Sequence, residues 1–228
     1  MQNLFNMDNP IMQELSRFAD MMIVNLLFVL CALPIITIGA SYTALCSVIF
    51  KMVKKEETHV CADFFKAFAA NIKQSTFLWI ITAVVSILLA VNVRFAFTAS
   101  GAILRIVTIA ACALFFMVAQ YLFPYVARFQ DKTGTVIKNC VLIAMAHLPG
   151  TIFCCVVAVA AVWVSFLNEQ VLAFAIFAWT VIGFSALAYI NISLFQRIFA
   201  VYEPKESELG QAADHAEGEG SEETGSDS

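Results

Sequence analysis

Apolar residues run through five stretches of the chain, at 21–53, 76–93, 102–126, 136–167 and 171–196, and charged side chains fall almost entirely at the joints between them. Each stretch is long enough to cross about 30 Å of bilayer hydrocarbon as a helix. The pattern predicts an all-α, polytopic transmembrane bundle of five spans. The last two stretches are joined only by Asn168-Glu169-Gln170, so they form a tight helical hairpin. Two other segments carry apolar residues on one face only. Asn9-Pro10 opens a short N-terminal interfacial helix within 1–20, where Ile11, Leu15 and Phe18 recur at helical spacing. Near 61–74, Phe64, Phe68 and Ile72 recur every four residues with Lys66 and Lys73 turned away, which predicts an interfacial helix leading into the second span.

The first stretch is too long for a single straight crossing. At 1.5 Å per residue it would extend roughly 50 Å as one helix, so it must tilt, bend or unwind. Pro34 fixes where, because it has no N–H to bond to Leu30 and its ring crowds that carbonyl; the β-branched residues after it and Gly39 weaken the helix further. Carbonyls freed there must be met by other helices or by a wet cavity, since lipid offers no donor. The joint is a plain kink, or an extended passage from Ile35 to Ala40 with Ser41 capping the half-helix that follows. In the second case the first span becomes a re-entrant pair of halves and the helices number six.

Composition agrees with the pattern: charged residues are 13% of the chain, against about a quarter in soluble domains, and mean hydropathy is +0.83. The N-terminal residues include Asp8, Glu14 and Asp20 against Arg17, which is not the basic start of a cleavable signal. The formal net charge of −4 conceals two opposed parts. Residues 203–228 hold nine acids and one lysine without an aromatic residue, so they are expected to be a disordered tail, leaving a net-positive membrane domain over 21–202. Lys51, Lys54, Lys55, Lys66 and Lys73 fall around the first connection and Arg128, Lys132 and Lys138 around the third. Arg94 and Arg105 alone flank the second, at positions suited to snorkelling. By the bias of basic residues toward the inside, the first and third connections and the C-terminus are expected in the cytoplasm and the N-terminus outside. Lys54, Lys55, Asp63, Phe64, Lys66, Phe68 and Lys73 then form the expected cytoplasmic interface.

Leu33-Pro34-Ile35-Ile36-Thr37-Ile38-Gly39-Ala40-Ser41 with Thr43-Ala44-Leu45, followed by Asp63-Phe64-Phe65-Lys66-Ala67-Phe68 with Asn71, Lys73, Gln74 and Leu78-Trp79, resembles the two hallmarks of the YesL family. These are small bacterial integral membrane proteins of unassigned function. The resemblance covers about residues 5–200, weakens after 100 and leaves out the acidic tail. It implies a protein of the bacterial cytoplasmic membrane, and a place beside carbohydrate uptake systems of the ABC type, with a sugar permease or sensor protein as partner. It supplies no catalytic residues.

Phosphate-binding glycine loops and paired His and carboxylate groups at helical spacing are absent from the sequence, so an ATPase or zinc peptidase is excluded. An enzyme, a bound cofactor and a nucleic-acid partner are not expected; the lipid bilayer is. Six of the seven cysteines lie in or at the ends of apolar helices, where a small thiol packs well. His147 precedes Leu148-Pro149-Gly150, with Cys140 and Cys154 one helical heptad to either side and so roughly on its face. It is a neutral histidine within a proline joint, a metal or redox ligand, or a proton or substrate contact. Gln120 either bonds the carbonyl that Pro124 leaves free or lines a cavity with Asn25, Thr37, Ser41 and His147. The candidate intramembrane site is therefore Asn25, Pro34, Thr37, Gly39, Ser41, Gln120 and His147. Two functions follow: a non-enzymatic accessory or assembly partner of a carbohydrate uptake system, or a small transporter or channel with a polar site at the broken first helix.

Overall fold

The computed structural model describes residues 10–99, 101–129 and 131–199, which are helical apart from short joints. The N-terminal nine residues and the expected disordered tail at 203–228 lie outside them. Contacts group residues 1–194 into one compact unit; from Phe195 onward the chain forms a second, of which only 195–199 are described. The helices are α1 (Pro10–Cys31), α2 (Ile38–Val53), α3 (Val60–Ala99), α4 (Ala102–Arg128), α5 (Thr133–Ala146), α6 (Leu148–Ser165), α7 (Glu169–Ala178) and α8 (Phe184–Phe199). Five helical segments of the described residues are long and apolar enough to cross a membrane, at Ile35–Val53, Val60–Thr98, Ala102–Arg128, Leu148–Ser165 and Glu169–Gln196. The protein is a multi-pass helical membrane protein.

The first apolar stretch breaks at Pro34, but not as an extended passage. Ile35–Thr37 form a single 3₁₀ turn and the helix resumes at Ile38 with Thr37 as its cap residue. Ser41 is therefore one turn inside α2, buried and with its hydroxyl unpartnered, and not at the helix start. Thr37 stands at the cap position expected of Ser41, but its side chain does not cap α2; its hydroxyl points back to the carbonyls of Cys31 and Pro34, at 2.7 and 2.8 Å, closing the joint. The rings of Phe28 and Tyr42 approach to 6.1 Å. Fourteen helical residues would separate their backbones by about 21 Å, more than two aromatic side chains span, so α1 is folded back against α2. Residues before 21, anticipated as a separate interfacial helix, are continuous with α1 from Pro10 onward.

Of the five long segments, only that containing α2 has most of its length covered by protein. It packs against α1, α3 and α4. Gly39 explains how α3 comes so close: a Cβ there would lie 2.6 Å from the Ser75 carbonyl oxygen and 2.6 Å from Trp79 Cβ. One turn on, the Thr43 and Ser75 hydroxyls meet at 2.9 Å. Small residues four apart let the backbones approach, and the hydroxyl pair fixes their register.

Helix α3 has 40 residues, about 60 Å, twice the hydrocarbon thickness. The separate interfacial helix expected near 61–74 is continuous with the span, and its apolar row continues the stripe of Ser75 and Trp79 that faces α2. Phe64 in that row is fully buried. The fourth apolar stretch also departs from expectation, because it is two helices divided at His147, whose backbone leaves the helical region at φ −118° and ψ 45°. Pro149 two residues later has no N–H to continue the ladder. The last stretch is a hairpin partner as anticipated, but it too is interrupted, by a π-helical turn at Trp179–Gly183.

If the α2–α3 approach is set by Gly39, Gly39→Ala should cost about 1–3 kcal/mol through overpacking against backbone that cannot rotate away. Thermal unfolding in detergent should show a drop of several degrees. Gly134→Ala, where a Cβ meets open space, should leave the midpoint unchanged or slightly raised.

Candidate functional site

Three breaks interrupt the apolar helices, and a polar side chain bonds backbone beside each of them. Thr37 serves the first. At the second, the Thr151 hydroxyl bonds the His147 carbonyl at 3.0 Å and shares a 2.8 Å hydrogen bond with the Tyr121 hydroxyl of α4. At the third, Asn25 of α1 reaches the π-helical turn about 155 residues away in sequence. Its amide donates to the carbonyls of Trp179 and Thr180 at 3.0 and 2.7 Å, and its oxygen accepts from the Ser185 N–H at 2.9 Å. A carboxamide presents two donors and an acceptor on one rigid plane, which matches two carbonyls and one N–H left where the ladder changes register. Asn25 and Ser185 are fully buried. The Trp179 indole donates to Ser165 at 3.0 Å, tying this turn to the end of α6. Its ring lies over Gly183, where a Cβ would come within 2.8 Å.

Between these fastenings lies a cavity of about 350 Å³, open on one side and bordered by α1, α2, α3, α4, α6 and α8. Gly39, Tyr42, Trp79 and Phe123 are among its walls, together with two carboxamides, Gln120 and Asn191. In both, the amide oxygen is buried without a hydrogen-bond partner. Gln120 does not bond the carbonyl opposite Pro124; its nitrogen lies 3.5 Å from the Cys155 sulfur, a weak contact.

Of the residues anticipated for an intramembrane site, Gly39 and Gln120 border this cavity. Asn25 and Thr37 are engaged at helix breaks, Pro34 makes the first break, and Ser41 is buried inside α2. His147 stands at the second break. The idea that Cys140, His147 and Cys154 share a helix face fails because α5 and α6 are separate helices. No group of three metal-ligating side chains occurs among the described residues. Asn191, Trp179, Ser185, Tyr121 and Thr151 went unanticipated. Only Trp179 with Gly183 one turn on gave a local signal, a large ring over a residue without a Cβ.

The interface residues gather at one end of the helices. Lys51 and Asp63 pair at 2.7 Å across the α2–α3 joint, and Asp63 also accepts the His59 N–H. Lys55 adopts φ 59° as α2 terminates, with the Lys55 and Glu56 N–H groups bonding back to Met52 and Lys51. Phe64 is buried and stacks with Phe68, whereas Lys54, Lys55, Lys66 and Lys73 are exposed. The α4–α5 joint lies beside them. Gln74 donates to the Asp131 carbonyl at 2.7 Å, Tyr125 donates to the Asp131 carboxylate, and Arg128 sits over the Phe50 ring. The first and third connections thus share one face. At the other end, Arg105 donates to the Ala96 carbonyl and lies over Phe97.

Residues 21–93 match a protein family described as "Protein of unknown function, DUF624". The match takes in half of α1, the Pro34 break, α2 and most of α3, which is the stretch carrying Gly39, Thr43, Ser75 and Trp79. No curated protein and no solved structure matches the chain.

Replacing Asn25 tests the third fastening. Polar contacts within membranes average about 0.6 kcal/mol each, so losing three should cost Asn25→Ala about 2 kcal/mol. Asn25→Asp keeps an acceptor for Ser185 and loses both donors, and should also be destabilised. Thermal unfolding in detergent is the check, with Asn92→Ala, which removes a single bond to Thr108, expected to fall less.

Proposed function

We propose that this chain is a non-catalytic protein of the bacterial cytoplasmic membrane that acts as an accessory or assembly partner of a carbohydrate uptake system of the ABC type. The observation that carries the reading is the use of intramembrane polar groups: Asn25, Thr37, Thr43, Ser75, Tyr121 and Thr151 fasten helices to one another. A transporter or channel requires a continuous polar path, and Asn25, Thr37, Ser41, Gln120 and His147 would have to share one wet space. Only Gln120 of that set borders the cavity.

The basic face supports a partner on one side of the membrane. Lys54, Lys55, Lys66, Lys73, Lys132 and Lys138 are exposed around the adjoining first and third connections, and the bias of basic residues toward the inside supports a cytoplasmic position for that face. There it meets anionic headgroups and the soluble domains of a permease or sensor. The choice of a carbohydrate uptake partner rests on the YesL resemblance alone.

The test is affinity capture of the tagged full chain from native membranes after mild lysine crosslinking. Sugar permease or sensor subunits should be recovered, and their yield should fall several-fold when Lys54, Lys55 and Lys66 are changed to serine without loss of expression. Recovery of no such subunit, together with solute flux in liposomes containing the pure protein, would replace this reading with that of a transporter.

A further inference from the structure

The cavity between the fastened helices combines an apolar wall with two unpartnered amide oxygens. Its wall is aromatic and aliphatic, and its polar groups are two carboxamides, the Tyr42 phenol, the Trp79 indole and the Thr82 hydroxyl, which already donates to the Leu78 carbonyl at 2.8 Å. Asn191 is 94% buried, since only 6% of its surface is exposed, and its oxygen has no partner. The Gln120 oxygen is in the same state. A buried amide left unpaired costs roughly 1–3 kcal/mol, so two in one cavity wall are an expense that a ligand would offset. A half-turn of either amide exchanges its nitrogen and oxygen with little change of shape, so each presents a donor or an acceptor to the space.

We propose that this cavity is a binding site for an apolar molecule carrying a hydroxyl group, an alcohol with a body of roughly a dozen heavy atoms. The size follows from volume: a cavity of about 150 Å³ accommodates benzene, and this one is over twice as large. The hydroxyl follows from the amides, because it can donate to a carboxamide oxygen and accept from a carboxamide N–H. A sugar is disfavoured, since most of its hydroxyls would lie unpaired against Trp79 and Phe123. A purely apolar chain would leave both amides unsatisfied. This site is independent of the partner proposed above.

The test uses 10-bromodecan-1-ol, whose bromine quenches tryptophan fluorescence, on the purified full chain in detergent. Quenching should saturate, be displaced by 1-decanol, and lose its saturable part in Trp79→Phe. The methyl ether of the same probe, which cannot donate, should bind about tenfold more weakly. Gln120→Leu and Asn191→Leu should each erase that preference, while Ala119→Phe, which fills the space, should abolish saturable binding of both probes. Unsaturable quenching of equal slope for alcohol and ether would overturn the proposal, as would saturable binding unchanged in folded Gln120→Leu, Asn191→Leu and Ala119→Phe.

Discussion

Asn25 holds the arrangement together because it answers a constraint that lipid makes severe: a helix that changes register releases backbone groups, and hydrocarbon offers them nothing. The π-helical turn at Trp179–Gly183 is stable in this setting only with a partner of complementary donors and acceptors. Asn25 supplies all three bonds from the other end of the chain. Elsewhere Thr37 closes the Pro34 joint by bonding the Cys31 carbonyl, and beside the His147 joint Thr151 ties α6 to Tyr121 of α4. Broken helices are therefore not loose ones here. Each break is a point at which one helix is fastened, either to itself or to a neighbour.

Packing follows from where the breaks fall. The Pro34 joint turns α1 back on α2, which makes α2 the most enclosed of the membrane helices and requires that its neighbours approach closely. Gly39 and the Thr43–Ser75 pair meet that requirement toward α3. Beside Gly39, Phe28 of the returning α1 and the aromatic side chains of α2, α3 and α4 wall the cavity that also holds Gln120 and Asn191.

The apolar runs made the all-helical, five-span character legible, because length and continuity of hydrophobicity are local properties. Pro34 was legible as a break for the same reason. The form of that break was not: Thr37 and Ser41 are both plausible caps, and the choice depends on how tightly α1 turns back. His147 divides its stretch although the hydrophobic run is unbroken, since Pro149 acts through a missing N–H that no hydropathy pattern registers. The region near 61–74 reads as amphipathic whether it lies on headgroups or against α2, as periodicity reports that one face is apolar and not what covers it. Asn25 was correctly singled out as an unusual polar group in a span, but its partners are backbone atoms at Trp179, Thr180 and Ser185, and backbone atoms leave no mark on a sequence. The two cavity amides were half legible, Gln120 as a polar residue among aromatics and Asn191 not at all.

Amide hydrogen exchange at Ser185 addresses the Asn25 fastening most directly, because that N–H donates to the Asn25 side chain. In the wild-type protein in lipid nanodiscs, Ser185 should exchange as slowly as the flanking helix, and in Asn25→Ala it should become at least tenfold faster while Thr43 and Ser75 amides remain protected. Equal protection of Ser185 in both proteins would contradict the account.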